Sequence, residues 1–376
     1  MTSVEEINRI EELARLRPAW DALLAETDGR SFFHTLPWLE VYWQHFGAGQ
    51  KLRALVVSAD GGPIGILPLV VLAEPTRVGR VRVLTYPLHD WGSFYGPIGP
   101  QPEATLAAGL AHVRRTPRDW DVLELRWIDA GGPGTGQAEQ AMRAAGFQVC
   151  KSVWDRTAMI DLSGSWSDYL AARSSKWRNN LRRTERRLGR QGRVDYLRYR
   201  PRGQAHGEDD PRWDLYDLCE ELARRTWQGS SATGTTLSHE SIRRFLRSEH
   251  AAAARAGAVD LNLLLLDEQP LAFAYNYFWD GTVYGLRAGY DAELSREGAG
   301  NLLFARAIED SFRRQDLLYD LGAGYIQSKR HLLTRIAPIL RYSHFHSGTP
   351  RTLLLRMKRW LQARRLDQEA AAATMA

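Results

Sequence analysis

Three apolar runs follow one another in quick succession, Val259–Leu266, Pro270–Trp279 and Thr282–Tyr290, parted only by Asp267-Glu-Gln269 and Asp280-Gly281. Links this short can join only antiparallel neighbours, because a parallel crossover needs roughly a dozen residues or more. The chain must therefore build an antiparallel meander here, and the next segment has to leave from its third strand. That segment is a glycine loop, Ser295-Arg-Glu-Gly-Ala-Gly300, and a helical stretch comes after it, Asn301–Arg314. A strand, a glycine loop and a helix N-terminus together point backbone N–H groups and the positive end of a helix dipole at one place, where a phosphate is welcome. Gly298 and Gly300 would let a diphosphate reach the main chain and would accept φ > 0. Ser295, Arg296, Ala299 and Asn301 complete the candidate cradle. The same pattern also serves as an ordinary strand-to-helix turn, so the loop alone leaves both readings open. It is not a Walker sequence, since no Lys-Ser or Lys-Thr pair comes after it, and its glycine spacing is not that of a dinucleotide fingerprint.

A chain of 376 residues suits two domains of ordinary size. Its 44% apolar and 25% charged content is that of a folded globular protein. There is no charged n-region followed by an apolar h-region at the start, and the longest apolar stretch, Ile64–Ala73, is too short to span a bilayer. A cytoplasmic location is expected. Cys150 and Cys219 have no spacing that suggests a disulfide framework or a zinc site, and no metal is expected. Between Arg173 and Arg202, twelve Arg or Lys stand against Glu185 and Asp195, so this stretch carries +10 of a chain total of +6. Lysine is scarce, at Lys51, Lys151, Lys176, Lys329 and Lys358 only, which draws notice to Lys329.

Both halves read alike. The first runs helix (Val4–Glu26), helix (Pro37–Phe46), a hairpin (Leu52–Ser58 and Ile64–Ala73 about Ala59-Asp-Gly-Gly-Pro63), strand (Val81–Tyr86), helix (Ala104–Arg115), strand (Asp121–Ile128), helix (Gly136–Ala145) and strand (Arg156–Leu162). The second runs helices (Ser167–Leu188, Asp214–Thr226, Ser238–Ala256), the meander, the loop and its helix, then a strand (Leu317–Leu321) ending in Gly322-Ala-Gly324. A duplicated α/β (α+β) domain is the economical explanation. Domains are expected at 1–150 and 151–350, with a helix and tail over 351–376.

Helices, three antiparallel strands, a loop of pattern x-x-x-Gly-x-Gly, a helix and a strand resemble the GNAT acyltransferases. In that superfamily the loop reads Gln/Arg-x-x-Gly-x-Gly/Ala and holds the pyrophosphate of acyl-CoA. Gly298 and Gly300 match, whereas Ser295 stands where the family has Gln or Arg. Phe33-His-Thr-Leu-Pro-Trp-Leu39, Ser175-Lys-Trp-Arg-Asn-Asn-Leu-Arg-Arg183, Gly289-Tyr-Asp291 and Asp320-Leu-Gly-Ala-Gly-Tyr-Ile-Gln-Ser-Lys329 resemble the double-domain branch that includes cellulose-biosynthesis-associated acetyltransferases, distantly related to the Fem aminoacyltransferases. The resemblance implies two tandem GNAT-like domains, each a mostly antiparallel sheet flanked by helices. The first has no glycine loop after its third strand and so is expected to be degenerate. The second would bind acetyl-CoA or another acyl-CoA as co-substrate.

Acyl transfer to an amine needs the thioester carbonyl held, the ammonium deprotonated and the thiolate protonated. Asp320, at the end of the last strand, and Asp291, just after the meander, are the candidate bases, although each could instead serve its own turn. The resemblance puts Tyr325 where a tyrosine protonates the departing thiolate. Lys329 and the nearby His331 could meet a phosphate or an acceptor carboxylate. In the basic helix, Trp177, Leu181 and Leu188 form a docking stripe, while Lys176, Arg178 and Arg182 suit an anionic acceptor; a solvated basic face competes with that reading. Asp90 and Tyr95, in an irregular aromatic stretch, could wall an acceptor pocket between the domains. The expected function is transfer of an acyl group from acyl-CoA to an amine, on an amino sugar or envelope-polysaccharide precursor. Two alternatives stay open: Fem-like transfer from aminoacyl-tRNA, and a non-catalytic GNAT-fold scaffold. Nucleic acid is not the expected partner, though tRNA is the one that would fit, and residues 353–366 mix apolar and basic residues as a peripheral membrane contact would.

Overall fold

The computed structural model describes residues 2–77, 79–132, 134–231, 235–291, 298–346, 350–359 and 361. Two compact units make it up: one takes the chain to Arg156 and again from Ala337, the other is Thr157–Ile336. In chain order the first contains β1 (Ser3–Ile7), α1 (Ile10–Leu13), α2 (Arg17–Ala25), α3 (Leu36–Phe46), β2 (Lys51–Ala59), β3 (Gly62–Thr76), β4 (Gly79–Thr85), α4 (Pro102–Arg115), β5 (Val122–Asp129), α5 (Gln137–Ala144) and the start of β6 (Cys150–Asp161). The second contains the end of β6, then α6 (Trp166–Ala171), α7 (Ser175–Gln191), β7 (Val194–Tyr199), α8 (Trp213–Arg225), α9 (Glu240–Ala256), β8 (Val259–Leu266), β9 (Gln269–Trp279), β10 (Thr282–Tyr290), α10 (Ala299–Arg313), β11 (Leu318–Ala323), α11 (Ile326–Lys329) and the start of β12 (Arg335–Phe345).

Strand pairing within each unit follows one plan. In the first unit β1, β2, β3 and β4 are antiparallel neighbours, β4 and β5 are parallel, and β12 lies antiparallel to β5. In the second, β7, β8, β9 and β10 are antiparallel neighbours, β10 and β11 are parallel, and the end of β6 lies antiparallel to β11. Each unit thus takes its closing strand from the other half of the chain. The sequence boundary near residue 150 and the assignment of 337–350 to the second domain give way to this exchange, because residues 339–345 pair with Val122–Asp129 of the first unit.

Other expectations are corrected locally. The first of the helices, Val4–Glu26, is a strand followed by two short helices. Alternation over Ser3–Ile7 lets Glu6 reach Arg53 on β2 through two N–H···O bonds of 2.8 Å, a pairing a helix would forgo. Ser167–Leu188 is two helices, broken where Ser174 turns extended and its hydroxyl caps α7 by accepting from the Trp177 N–H at 3.2 Å. The basic run is not all solvated. α7 ends at Gln191, and Arg198 and Arg200 of β7 and the segment after it are buried among Asp260, Asp310 and Asp316. Arg198 binds Asp260 by bonds of 2.7 and 2.8 Å, and Arg200 binds Asp316 by bonds of 2.8 and 2.9 Å. Burial would push the Asp260 carboxyl up, but Arg198 and Arg200 hold it down at about 2.

Successive strand residues face opposite sides, which sorts the second unit into two layers. On one side α10 packs Ala305, Ala307 and Ile308 with Val283, Tyr319, Ile160 and Trp177 of α7, and Leu302 and Leu303 with Leu264, Leu271 and Ala274. On the other, Tyr216 of α8 and His250 of α9 meet Tyr275 of β9. No helix among the described residues is long and apolar enough to cross a membrane. Residues 350–359 are helical; Thr352 and Leu355 are buried, while Leu353, Leu354, Met357 and Leu361 are about half exposed, and 360 and 362–366 lie outside the described residues.

Candidate active site

β10 and β11 run together for three residue pairs only, Thr282–Tyr284 beside Leu318–Asp320. There β10 bulges between Gly285 and Arg287 in its ladder with β9, and the parallel strands part. Gly285 sits at the parting point: a Cβ there would lie 2.7 Å from the Asp320 carbonyl oxygen, so only glycine lets the strands touch before they diverge. β10 continues to Tyr290 with its β11-facing edge unmatched by any strand among the described residues. Such an edge can bond an extended amide-bearing chain and a thioester carbonyl through main-chain groups.

The helix after the meander opens on glycines rather than on a side-chain cap. Gly298 is the N-cap of α10, with φ +99°, and it has no side chain to satisfy the first N–H groups of the helix. A Cβ on Gly298 would strike Thr184 Oγ1 of α7 at 2.6 Å, and one on Gly300 would press the Tyr290 ring at 3.3 Å. The two glycines therefore answer to their surroundings as well as to a ligand. Ala299 is buried, and Asn301 Oδ1 accepts from His331 Nε2 at 2.7 Å, tying the helix start to the segment after α11. Burial lowers the His331 pKa. Ser295 and Arg296 lie outside the described residues. Among the described residues, no group of three or more His, Cys, Asp or Glu could hold a metal.

The family model for an acetyltransferase (GNAT) domain matches residues 175–330, which span α7, the meander, the fork, the glycine cradle and α11. This stretch of the chain is a GNAT-type domain. FemX has a similar solved structure, 13% identical, covering 92% of this chain and 97% of its own, with a TM-score of 0.58. A conserved protein of unknown function from Bacteroides thetaiotaomicron VPI-5482 is 10% identical, with 92% and 100% covered and a TM-score of 0.53. At these identities both speak for the fold. The first shows that this chain shares the fold of FemX over most of its length. No curated protein matches the chain.

Within the GNAT domain the expected site residues are placed unequally. Asp320 stands at the fork but is buried and engaged: Thr157 Oγ1 donates to Oδ1, and so does the Gly322 N–H at 2.8 Å. Asp291 is also buried, 3.8 Å from the Arg225 guanidinium, with its own N–H bonded to the Leu271 carbonyl. Tyr325 is the opposite case, 80% exposed and held at φ +48°. Lys329 Nζ donates to three carbonyls, Gly322 at 2.8 Å, Gly324 at 3.0 Å and Ala323 at 3.3 Å, and so fastens the bend after β11. Arg178 donates to the Ala171 carbonyl at 2.7 Å, closing the end of α6, while Lys176 is exposed. In the first unit, Asp90 Oδ1 accepts both indole N–H groups of Trp127 and Trp154, at 2.7 and 3.0 Å. Tyr95 is stacked on His34 with centroids 4.5 Å apart, and burial raises its hydroxyl pKa.

Two sets of residues escape a reading of the sequence alone. Thr184, which walls the cradle, looks like any polar residue of a charged helix. Glu249 and His250 carry a usable signal: they fall on the apolar stripe Ile242, Phe245, Leu246 and Ala253 of α9, where a carboxylate is out of place.

Proposed function

We propose that the GNAT domain moves an acyl group, in the simplest case acetyl, from acyl-CoA to an amine carried by an amino sugar or an envelope-polysaccharide precursor. The single observation that supports this most is the conjunction of the β10–β11 fork with a glycine-capped α10 in a matched GNAT domain. The diphosphate would lie on the N–H groups at Gly298 to Asn301, and the pantetheine amides along the free edge of β10. Attack by the neutral amine forms the C–N bond and breaks the C–S bond. Of the two protons lost from the ammonium nitrogen, one would reach the thiolate from the exposed Tyr325 hydroxyl, and one leaves to solvent. Among its described residues the first unit has no comparable cradle: α4 begins after Gln101, and the segment after β4 is filled by Tyr95 and by Ile98, which bridges to Ile66. It is assigned to scaffolding and acceptor binding.

A second reading, aminoacyl transfer from a tRNA, is supported by the fold shared with FemX over nearly the whole chain and by Lys176, Arg182, Arg186 and Arg190 standing exposed along α7. The exposed leucines and basic residues of 350–359 support contact with an anionic membrane surface, which would suit a lipid-linked acceptor. Thermal shift with acetyl-CoA decides between the main readings. Stabilisation in wild type that Gly298→Glu abolishes supports acyl-CoA use. No shift at millimolar ligand refutes it, and salt-sensitive tRNA binding then favours the second reading.

A further inference from the structure

A buried polar chain lies on the α8–α9 face of the second unit. Glu249 of α9 is 1% exposed, and Tyr277 of β9 is hydrogen-bonded to its carboxyl. The Tyr277 hydroxyl lies 3.4 Å from that of Tyr275, which lies 3.0 Å from His250 Nδ1, and His250 Nε2 lies 2.6 Å from the Pro211 carbonyl oxygen. The last contact fixes the direction of the rest. A carbonyl can only accept, so Nε2 carries the imidazole proton and Nδ1 must accept from Tyr275. Burial, which lowers the His250 pKa to about 4, keeps the ring neutral. The Tyr275 proton is thereby engaged, and Tyr277 faces Glu249 with a hydroxyl that can donate to the carboxylate or accept from the carboxylic acid.

The chain adjoins the fork. Tyr277 is directly opposite Tyr284 on β10, and Tyr284 is directly opposite Asp320, where β10 and β11 part. Three buried polar atoms nearby have no partner among the described residues: Glu249 Oε2, Tyr216 Oη and Gln228 Oε1, the last on a side chain whose amide donates to the Ala288 carbonyl of β10 at 2.8 Å. Unfilled polar atoms in such a place call for a polar group that the described residues do not supply. The charged and titratable neighbours of Glu249 are Tyr216 of α8, Tyr275 and Tyr277 of β9, Arg287 of β10 and His250 on its own helix. Burial raises the Glu249 carboxyl to about 7, against the opposing pull of Arg287 and Tyr277.

We infer that Glu249, poised by Tyr277, is the proton acceptor that deprotonates the acceptor ammonium on the α8–α9 face of the fork. The assignment rests on the acyl-transfer reading above and gives it a base that Asp320, already engaged by Thr157 and Gly322, does not offer. The ammonium proton passes to the carboxylate, the freed amine attacks the thioester carbon, and the Glu249 carboxylic acid later returns its proton to water.

The test uses the full chain, Glu249→Gln, Tyr277→Phe, acetyl-CoA and a panel of amines. Glu249→Gln should lower kcat/KM for the acceptor by about a hundredfold or more, remove the acidic limb near neutral pH, and leave both KM for acetyl-CoA and its thermal shift unchanged. Infrared titration should show a protonated carboxyl that ionises near neutral pH in wild type and is missing in Glu249→Gln. Tyr277→Phe should displace the limb and the infrared titration rather than delete them, and it carries the test should Glu249→Gln fail to fold. An active wild type whose rate and acidic limb survive Glu249→Gln overturns the assignment alone. A wild type that neither binds nor consumes acetyl-CoA overturns the transfer reading, whatever the infrared shows.

Discussion

Gly298→Ala probes the cradle through its geometry. At φ +99° an L-residue carries a backbone penalty of about 1–2 kcal/mol. The new Cβ would also sit 2.6 Å from Thr184 Oγ1, well inside contact. Thr184 is buried on α7 and β-branched, so its hydroxyl cannot swing aside freely, and overpacking of this kind adds about 1–3 kcal/mol. Gly298→Ala should therefore destabilise the protein by about 2–5 kcal/mol. Thr184→Ala separates the two causes. Thr184 Cβ would lie 3.5 Å from the added methyl, an ordinary contact, so the double variant keeps the φ penalty and loses the clash. Denaturant unfolding of wild type, both single variants and the double variant should give a coupling of about 1–3 kcal/mol in favour of the pair. Additivity within about 0.5 kcal/mol would refute the packing argument.

Three further outcomes rest on single side chains. Asp260→Asn should cost about 3–5 kcal/mol in denaturant unfolding, because it takes from the buried Arg198 its two-bond carboxylate partner and leaves Asp310 and Asp316 to serve both guanidiniums. Since the folded Asp260 pKa is depressed to about 2, its contribution is full above the ordinary carboxylate range and fades as pH falls toward 2; acid unfolding of Asp260→Asn should lack that window. Lys329→Met should release the bend after β11, costing about 1–3 kcal/mol and raising amide exchange at Gly322 and Gly324; unchanged exchange would show the carbonyl bonds to be dispensable. Tyr325→Phe should leave stability within about 0.5 kcal/mol, the ring being 80% exposed, and lower kcat without changing KM for acetyl-CoA if its hydroxyl protonates the thiolate.

What could be read from the chain divides along the range of the interaction that fixes it. β8 and β10 begin and end where their apolar runs and tight turns place them, because the partner strand is the next one in sequence. β12 is invisible on that scale: Arg335–Phe345 finds its partner in β5, two hundred residues upstream, and no turn announces it. β1 and β7 are hidden by their charges. Glu6 reads as a helix surface until Arg53 is brought beside it, and Arg198 reads as part of a solvated run until Asp260, Asp310 and Asp316 converge on it from β8 and the far end of α10. The candidate site splits in the same way. Gly298 and Gly300 are legible because a glycine pair before a helix constrains the backbone locally. Lys329 and Arg178 look like ligand-facing cations in the sequence, yet both donate to main-chain carbonyls, and a carbonyl leaves no trace there. Glu249 shows the converse. Its position on an apolar helical stripe is visible, and the chemistry that makes it matter comes from Tyr277 on β9 and Arg287 on β10, which only the folded second unit brings to its carboxyl. A buried acid on an apolar stripe is therefore best treated as an open question about its partners, to be answered before it is set aside as a packing irregularity.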